Sequence, residues 1–348
     1  MSSRAEGAGA FTLGVLDQSP VAEGVAPAQA LRNSVDLARL ADRLGYGRYW
    51  VAEHHGSPAL ACASPEALIG PIAASTSRIR VGSGGVMLPH YSPAKVAETF
   101  SMLAGLFPGR IDLGIGRAAG TDASTALALQ RDRSRRMPDD FPDQLNELLG
   151  YLSGLIPRSH PFSRLSALPG RPESPEPWLL GSSPQSAEWA AELGLPYAFA
   201  DFINRAGAPL VARYRERFEP SPHRETPHVA VAAWAVCAET DAEAVRLASS
   251  FRMMITLLHR GRLVAVPPVE TALRFLADQP EATDRRAIIG APARVRAGIE
   301  ELTREYGADE VLIVNIMHDH AARLRSYELI AEEFGLASEI SRAAASVA

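Results

Sequence analysis

Three short apolar runs within residues 45–122 constrain the fold more than any other feature. They cover residues 49–52, 79–83 and 111–115, and each ends in a polar or glycine-rich turn: Glu53-His54-His55, Gly84-Gly85 and Gly116-Arg117. Polar chemistry at the exits of successive buried strands is how a parallel α/β protein builds an active site. Ile111, Leu113 and Ile115 surround one aspartate, an apolar character that suits a strand covered on both faces. An enzyme is therefore expected, rather than a binding module or a structural protein.

The alternation continues along the chain. Strands are predicted at residues 11–16, 48–52, 78–83, 110–115, 177–180, 197–200, 229–237 and 311–314. Helices are predicted at 27–44, 65–75, 93–106, 141–152, 184–193 and 206–218, from residue 241 onward, and at 322–334. In the first helix Leu31, Val35, Ala38, Leu40 and Leu44 fall close to one face, and Gly45 is a stop signal. These strand–helix units predict a (β/α)8 barrel of the TIM type with insertions near its C-terminal face. It would form a single domain over residues 11–340, with residues 1–10 a disordered tail; a doubly wound sheet is the alternative. The proline-rich stretch 153–177 reads as a surface loop. Residues 259–290 form an irregular insertion beside the barrel mouth, either a lid or a passive excursion, before a helical run at 292–306.

A formal net charge of −5 argues against a nucleic-acid partner, which calls for a basic stripe. Lys95 is the single lysine, so the cationic chemistry belongs to arginine. No apolar run approaches the roughly 20 residues that span a bilayer, and no charged-then-apolar leader opens the chain. Cys62 and Cys237 lie far apart and suggest neither a disulfide framework nor a metal cluster. A cytoplasmic location with no membrane contact is expected.

Four motifs can carry chemistry. Arg117 at a strand end, flanked by glycines, can bring its planar fork to a phosphate, or it can pair with a carboxylate such as Asp112 or Asp122. The run from Gly114 to Gly120 is GxGxxxG, which departs from the dinucleotide fingerprint. Ser182 and Ser183 precede a helix that starts at Pro184, so they either cradle a phosphate or cap the helix. Glu53-His54-His55 suits acid–base work better than metal binding, because adjacent strand residues point to opposite faces. Gly84-Gly85 marks either a backbone pressed against a flat ring or a tight turn. There is neither a GxSxG elbow nor a P-loop.

Seven phrases in order carry a family resemblance: LDQSP (16–20), RYWVAEHH (48–55), RIRVGSGGVMLPHYSP (78–93), PGRIDLGIGRA (108–118), WLLGSS (178–183), LGLPYAFA (193–200) and RSYELIA (325–331). The chain resembles the bacterial luciferase-like flavin-dependent monooxygenases, in particular their single-chain oxidoreductase subgroup. The resemblance implies a (β/α)8 barrel, usually a homodimer, binding FMN at its C-terminal face. By position, Arg117 would contact the flavin phosphate, assisted by Ser182 and Ser183. Gly84 and Gly85 would lie against the ring, where such proteins often hold a non-proline cis peptide. His54 would be the catalytic group near the reactive flavin carbon with His55 as its neighbour, and Glu53 and Asp17 would shape the same mouth. Gly116 stands where the luciferases carry a reactive cysteine, and Ser182 where they carry an acidic residue.

The activity so implied is oxygenation of a small organic substrate by reduced FMN and O2 through a flavin peroxide, with a separate flavin reductase as partner. The alternatives are hydride transfer with the deazaflavin F420, and a non-catalytic flavin-binding protein.

Overall fold

The computed structural model describes residues 11–117, 122–130, 139–165, 173–279 and 287–336. The tail expected at residues 1–10 and the second half of the GxGxxxG run lie outside these. The first half of the chain reads β1 (Thr12–Asp17), α1 (Pro27–Leu44), β2 (Arg48–Val51), α2 (Pro65–Ala74), β3 (Arg80–Met87), α3 (Pro93–Leu106), β4 (Ile111–Gly116), α4 (Ala123–Leu129) and α5 (Phe141–Ser153). The second half reads β5 (Glu176–Gly181), α6 (Pro184–Glu192), β6 (Tyr197–Ala200), α7 (Ala208–Glu216), β7 (Val229–Cys237), α8 (Asp241–His259), α9 (Val269–Leu276), β8 (Ala287–Gly290), α10 (Pro292–Tyr306), β9 (Glu310–Val314) and α11 (His320–Phe334).

Strands β1 to β7 pair in parallel in chain order, and β9 closes the ring between β7 and β1. The result is the expected (β/α)8 barrel. Its extra strand, β8, pairs with the second half of β7 from Trp234 to Cys237. Local signals in the sequence explain the helix ends. Proline occupies the first turn of α1, α2, α3, α5, α6, α7 and α10, where its missing N–H costs nothing. Thr240 and Asp319 cap α8 and α11, and Gly45 ends α1 at φ 98°.

Two apolar layers result. Val15, Leu37, Ile69, Val81, Leu113 and Ile313 are fully buried between strands and helices. Inside the barrel, Trp50 and Trp178 meet edge to face at 5.2 Å among small residues such as Ala198, Ala230 and Ala232. The N-terminal end of the barrel is closed by charge. Arg48 donates to Asp112 at 2.7 Å and to Glu310 at 2.8 Å, and its guanidinium lies 4.6 Å from the Trp178 ring centre. Arg80 meets Asp112 and Glu176, and His228 meets Glu310 at 2.7 Å.

Four elements depart from the sequence reading. The segment 259–290 contains α9 and β8, and α4 follows β4. Gly84 and Gly85 do not form a turn after a strand: β3 runs through them to Met87, with a register shift between Ser83 and Val86.

Candidate active site

The C-terminal ends of the strands surround a cavity of about 480 Å³, within the range of small-molecule sites. One end is polar. Arg117 leaves the end of β4 and reaches the N-terminus of α6, where its Nη1 donates to Gln185 Oε1 at 2.7 Å. Its Nη2 pairs with Asp139, and its guanidinium lies 5.4 Å from the Trp189 ring centre. Trp189 packs in turn on Phe141 at 5.3 Å. Asp112 and Asp122, the carboxylates considered from sequence, are used elsewhere: Asp112 in the Arg48 and Arg80 network, and Asp122 as the α4 cap.

Ser182 and Ser183 line the same end. Ser183 is also the α6 N-cap, accepting from the Ser186 backbone N–H at 3.3 Å in a reciprocal capping box. The Ser182 carbonyl accepts from Asn204 Nδ2 at 2.9 Å. Arg117 and the positive end of a helix thus converge, as a phosphate cradle requires.

The opposite wall carries Glu53 and His54. Glu53 is 1% exposed and fully partnered: Oε1 faces His55 Nε2 at 2.7 Å and the Tyr91 hydroxyl at 2.9 Å, and Oε2 accepts from the Met87 N–H at 3.0 Å. His54 is half-buried, and its Nδ1 is buried without a hydrogen-bond partner among the described residues. Burial, aided by the neighbouring His55, lowers its pKa to about 4. His54 is therefore a neutral imidazole at pH 7, and its side chain lines the cavity.

Gly84 and Gly85 line the floor and are joined by a cis peptide bond, the feature the resemblance implies. Their missing side chains point at protein, however. A Cβ on Gly85 would meet the Gly114 carbonyl oxygen at 2.7 Å and Leu180 at 3.1 Å, and one on Gly84 would collide with Leu16. Barrel packing therefore accounts for the glycine pair.

Two expected site residues do not reach the cavity. Asp17 is wholly buried behind β1, where Arg323 (2.7 Å), the Tyr49 hydroxyl (2.6 Å) and the Ser19 N–H (2.8 Å) take its oxygens. Burial alone would raise its pKa, but the Arg323 charge and these hydrogen bonds hold it below the usual carboxylate value. His55 stands behind Glu53 and packs edge-on to His90 at 5.8 Å. Sequence reasoning missed Asp139, Gln185, Trp189 and the apolar wall of Phe202, Ile203 and Leu312. Gln185 and Trp189 carried a signal, since both follow the Ser-Ser-Pro helix start. Among the described residues, no group of three or more His, Cys, Asp or Glu could hold a metal ion, and no helix is long and apolar enough to cross a membrane.

Residues 9–310 match the family described as luciferase-like monooxygenase. A luciferase-like monooxygenase of Escherichia coli (strain K12) is 40% identical over 92% of this chain and 95% of its own length. The N-acetyl-S-alkylcysteine monooxygenase of Bacillus subtilis (strain 168) is 36% identical over 92% of this chain and 97% of its own. The crystal structure of apo-MsnO8 superposes with a TM-score of 0.86 at 43% identity, covering 94% of this chain and 99% of that one. Two more distant structures share the fold. The oxygenating constituent of 3,6-diketocamphane monooxygenase from Pseudomonas putida, in complex with FMN, has a TM-score of 0.70 at 22% identity over 93% of this chain and 98% of that one. An F420-dependent secondary alcohol dehydrogenase has a TM-score of 0.64 at 14% identity over 94% and 99%. With the family match spanning most of its length and relatives near 40% identity along nearly all of it, the chain belongs to the luciferase-like monooxygenases.

Proposed function

We propose that this protein oxygenates a small organic substrate with reduced FMN and O2, the flavin arriving from a separate reductase. The observation that carries the reading is the polarity of one cavity: Arg117 and the α6 N-terminus at one end, apolar side chains and His54 beyond. That pattern fits a flat ring system ending in a phosphate. Reduced FMN supplies the two electrons with which O2 is divided between product and water. Arg117 holds the phosphate with its spare N–H donors, and Gly84-Gly85 supply a flat floor. His54, kept neutral, offers a hydrogen bond to ring or substrate. Phe202, Ile203 and Leu312 exclude water and receive the apolar part of the substrate. The N-acetyl-S-alkylcysteine relative makes thioethers the first substrate class to supply.

The test is anaerobic equilibrium dialysis with FMN and F420, each oxidised and reduced, followed by O2 and a thioether panel. Preference for reduced FMN is expected. Preference for F420, or binding of neither, overturns the reading. Arg117→Ala is expected to weaken FMN about ten- to a hundredfold, the scale of a lost charge-assisted contact, while sparing riboflavin.

A further inference from the structure

Arg117, the cation expected to hold a phosphate, already holds a carboxylate. Nη2 pairs with Asp139 while Nη1 is tied to Gln185 and the fork lies over Trp189. Asp139 is 61% exposed and Arg117 41%, so their ion pair contributes little to folding. Its consequence falls on the ligand. The Arg117–Asp139 pair has no net charge, whereas a phosphate monoester carries about −1.5 to −2 at pH 7. An incoming phosphate therefore meets a neutralised cation and a like-charged neighbour.

We propose that Asp139 is a built-in competitor for the phosphate and so a determinant of which flavins the site retains. It occupies Arg117 when phosphate is absent, yields when phosphate arrives, and keeps the bound flavin exchangeable. The inference rests on the FMN reading above. An enzyme that takes its flavin reduced from a separate reductase must also release it oxidised, and a self-competing clamp makes release easy.

The test measures dissociation constants of oxidised FMN and riboflavin by equilibrium dialysis for wild type, Asp139→Asn, Arg117→Ala and the double variant. Stopped-flow release rates accompany them. Asp139→Asn keeps the side chain's size and removes its charge. Removing one screened like charge is expected to tighten FMN about three- to tenfold and to slow its release, leaving riboflavin unchanged. In the Arg117→Ala background the same change is expected to tighten FMN less. Unchanged FMN binding in Asp139→Asn overturns the proposal. Weaker FMN binding also overturns it and makes Asp139 a positioning residue for Arg117. A parallel change with riboflavin overturns it too, because the effect then lies in the cavity and not at the phosphate. If Arg117→Ala leaves the FMN-to-riboflavin ratio intact, the phosphate clamp itself fails, a result distinct from failure of the competitor.

Discussion

Burial and the adjacent His55 lower the His54 pKa to about 4, so the group that faces the cavity works as a neutral imidazole across the physiological range. The same shift has a stability consequence with a definite sign. Between the folded value and the ordinary value of about 6.5, the unfolded chain binds a proton at this position that the folded chain does not. Stability therefore falls as pH drops from about 6.5 toward 4. Burial moves His223 and His320 in the same direction. His54→Gln is expected to flatten the slope of urea stability over that window without abolishing it, and the His54 ring is expected to titrate by NMR near pH 4. A midpoint near 6.5 would remove the burial argument. At this scale the sequence was only partly legible. The Glu53-His54-His55 run announced polar chemistry at a strand exit, but β2 ends at Val51, so the side chains of His54 and His55 are set by the turn that follows the strand and not by strand alternation. Asp17 was misread because its partner, Arg323, lies 306 positions away, and no local pattern announces such a pairing.

Strand β3 shows what an element adds to its residues. The glycine pair was visible in sequence, with a ring contact and a tight turn as competing explanations. The strand geometry supplies another: Gly85 passes so close to β4 that a side chain has no space. A Cβ there would lie 2.7 Å from the Gly114 oxygen and 3.0 Å from the Gly114 carbonyl carbon, both backbone atoms fixed in the barrel. Gly85→Ala is expected to cost about 1–3 kcal/mol, the range of an overpacked core site. Gly47, between α1 and β2, is the control, since a Cβ there finds its nearest neighbour, the Leu13 carbonyl oxygen, at 3.8 Å. Gly47→Ala is expected to be neutral or to gain up to about 1 kcal/mol by restricting the unfolded chain. Urea midpoints at constant m-value check both, and equal effects would refute the packing account. Elements with strong period and punctuation were legible: α1, α3, β6 and β7 start and stop where composition places them. The elements missed were α4, seven residues after the glycine-rich exit of β4, α9, which follows a Pro-Pro pair inside an irregular stretch, and β8, four residues paired with one half of β7.

Across the whole barrel the two ends divide the work. The candidate cavity lies at the C-terminal face, while the N-terminal face is closed by Arg48, Arg80, Asp112, Glu176, His228 and Glu310. Burial would raise the Glu310 pKa, but the His228 hydrogen bond and the Arg48 charge hold it below the usual value. Its stabilisation is therefore complete above the ordinary carboxylate range, near 4.3, and is lost as pH falls through and below it. Arg48 is the keystone: it joins β2 to the carboxylates of β4 and β9 and stacks on Trp178 in the barrel interior. Arg48→Met keeps much of the packing but leaves Glu310 and Asp112 short of a cation. The expected cost is about 3–5 kcal/mol, the scale of breaking a buried pair from one side. Because Arg48 and Asp112 are buried, the loss is expected to be nearly independent of salt, and the acid limb of the stability curve is expected to become shallower than in wild type. FMN affinity, which the proposed function assigns to the opposite face, is expected to stay within about twofold of wild type once the protein is folded. A variant that kept full stability but lost FMN would break this division, since the arginine would then be acting on the site rather than on the barrel.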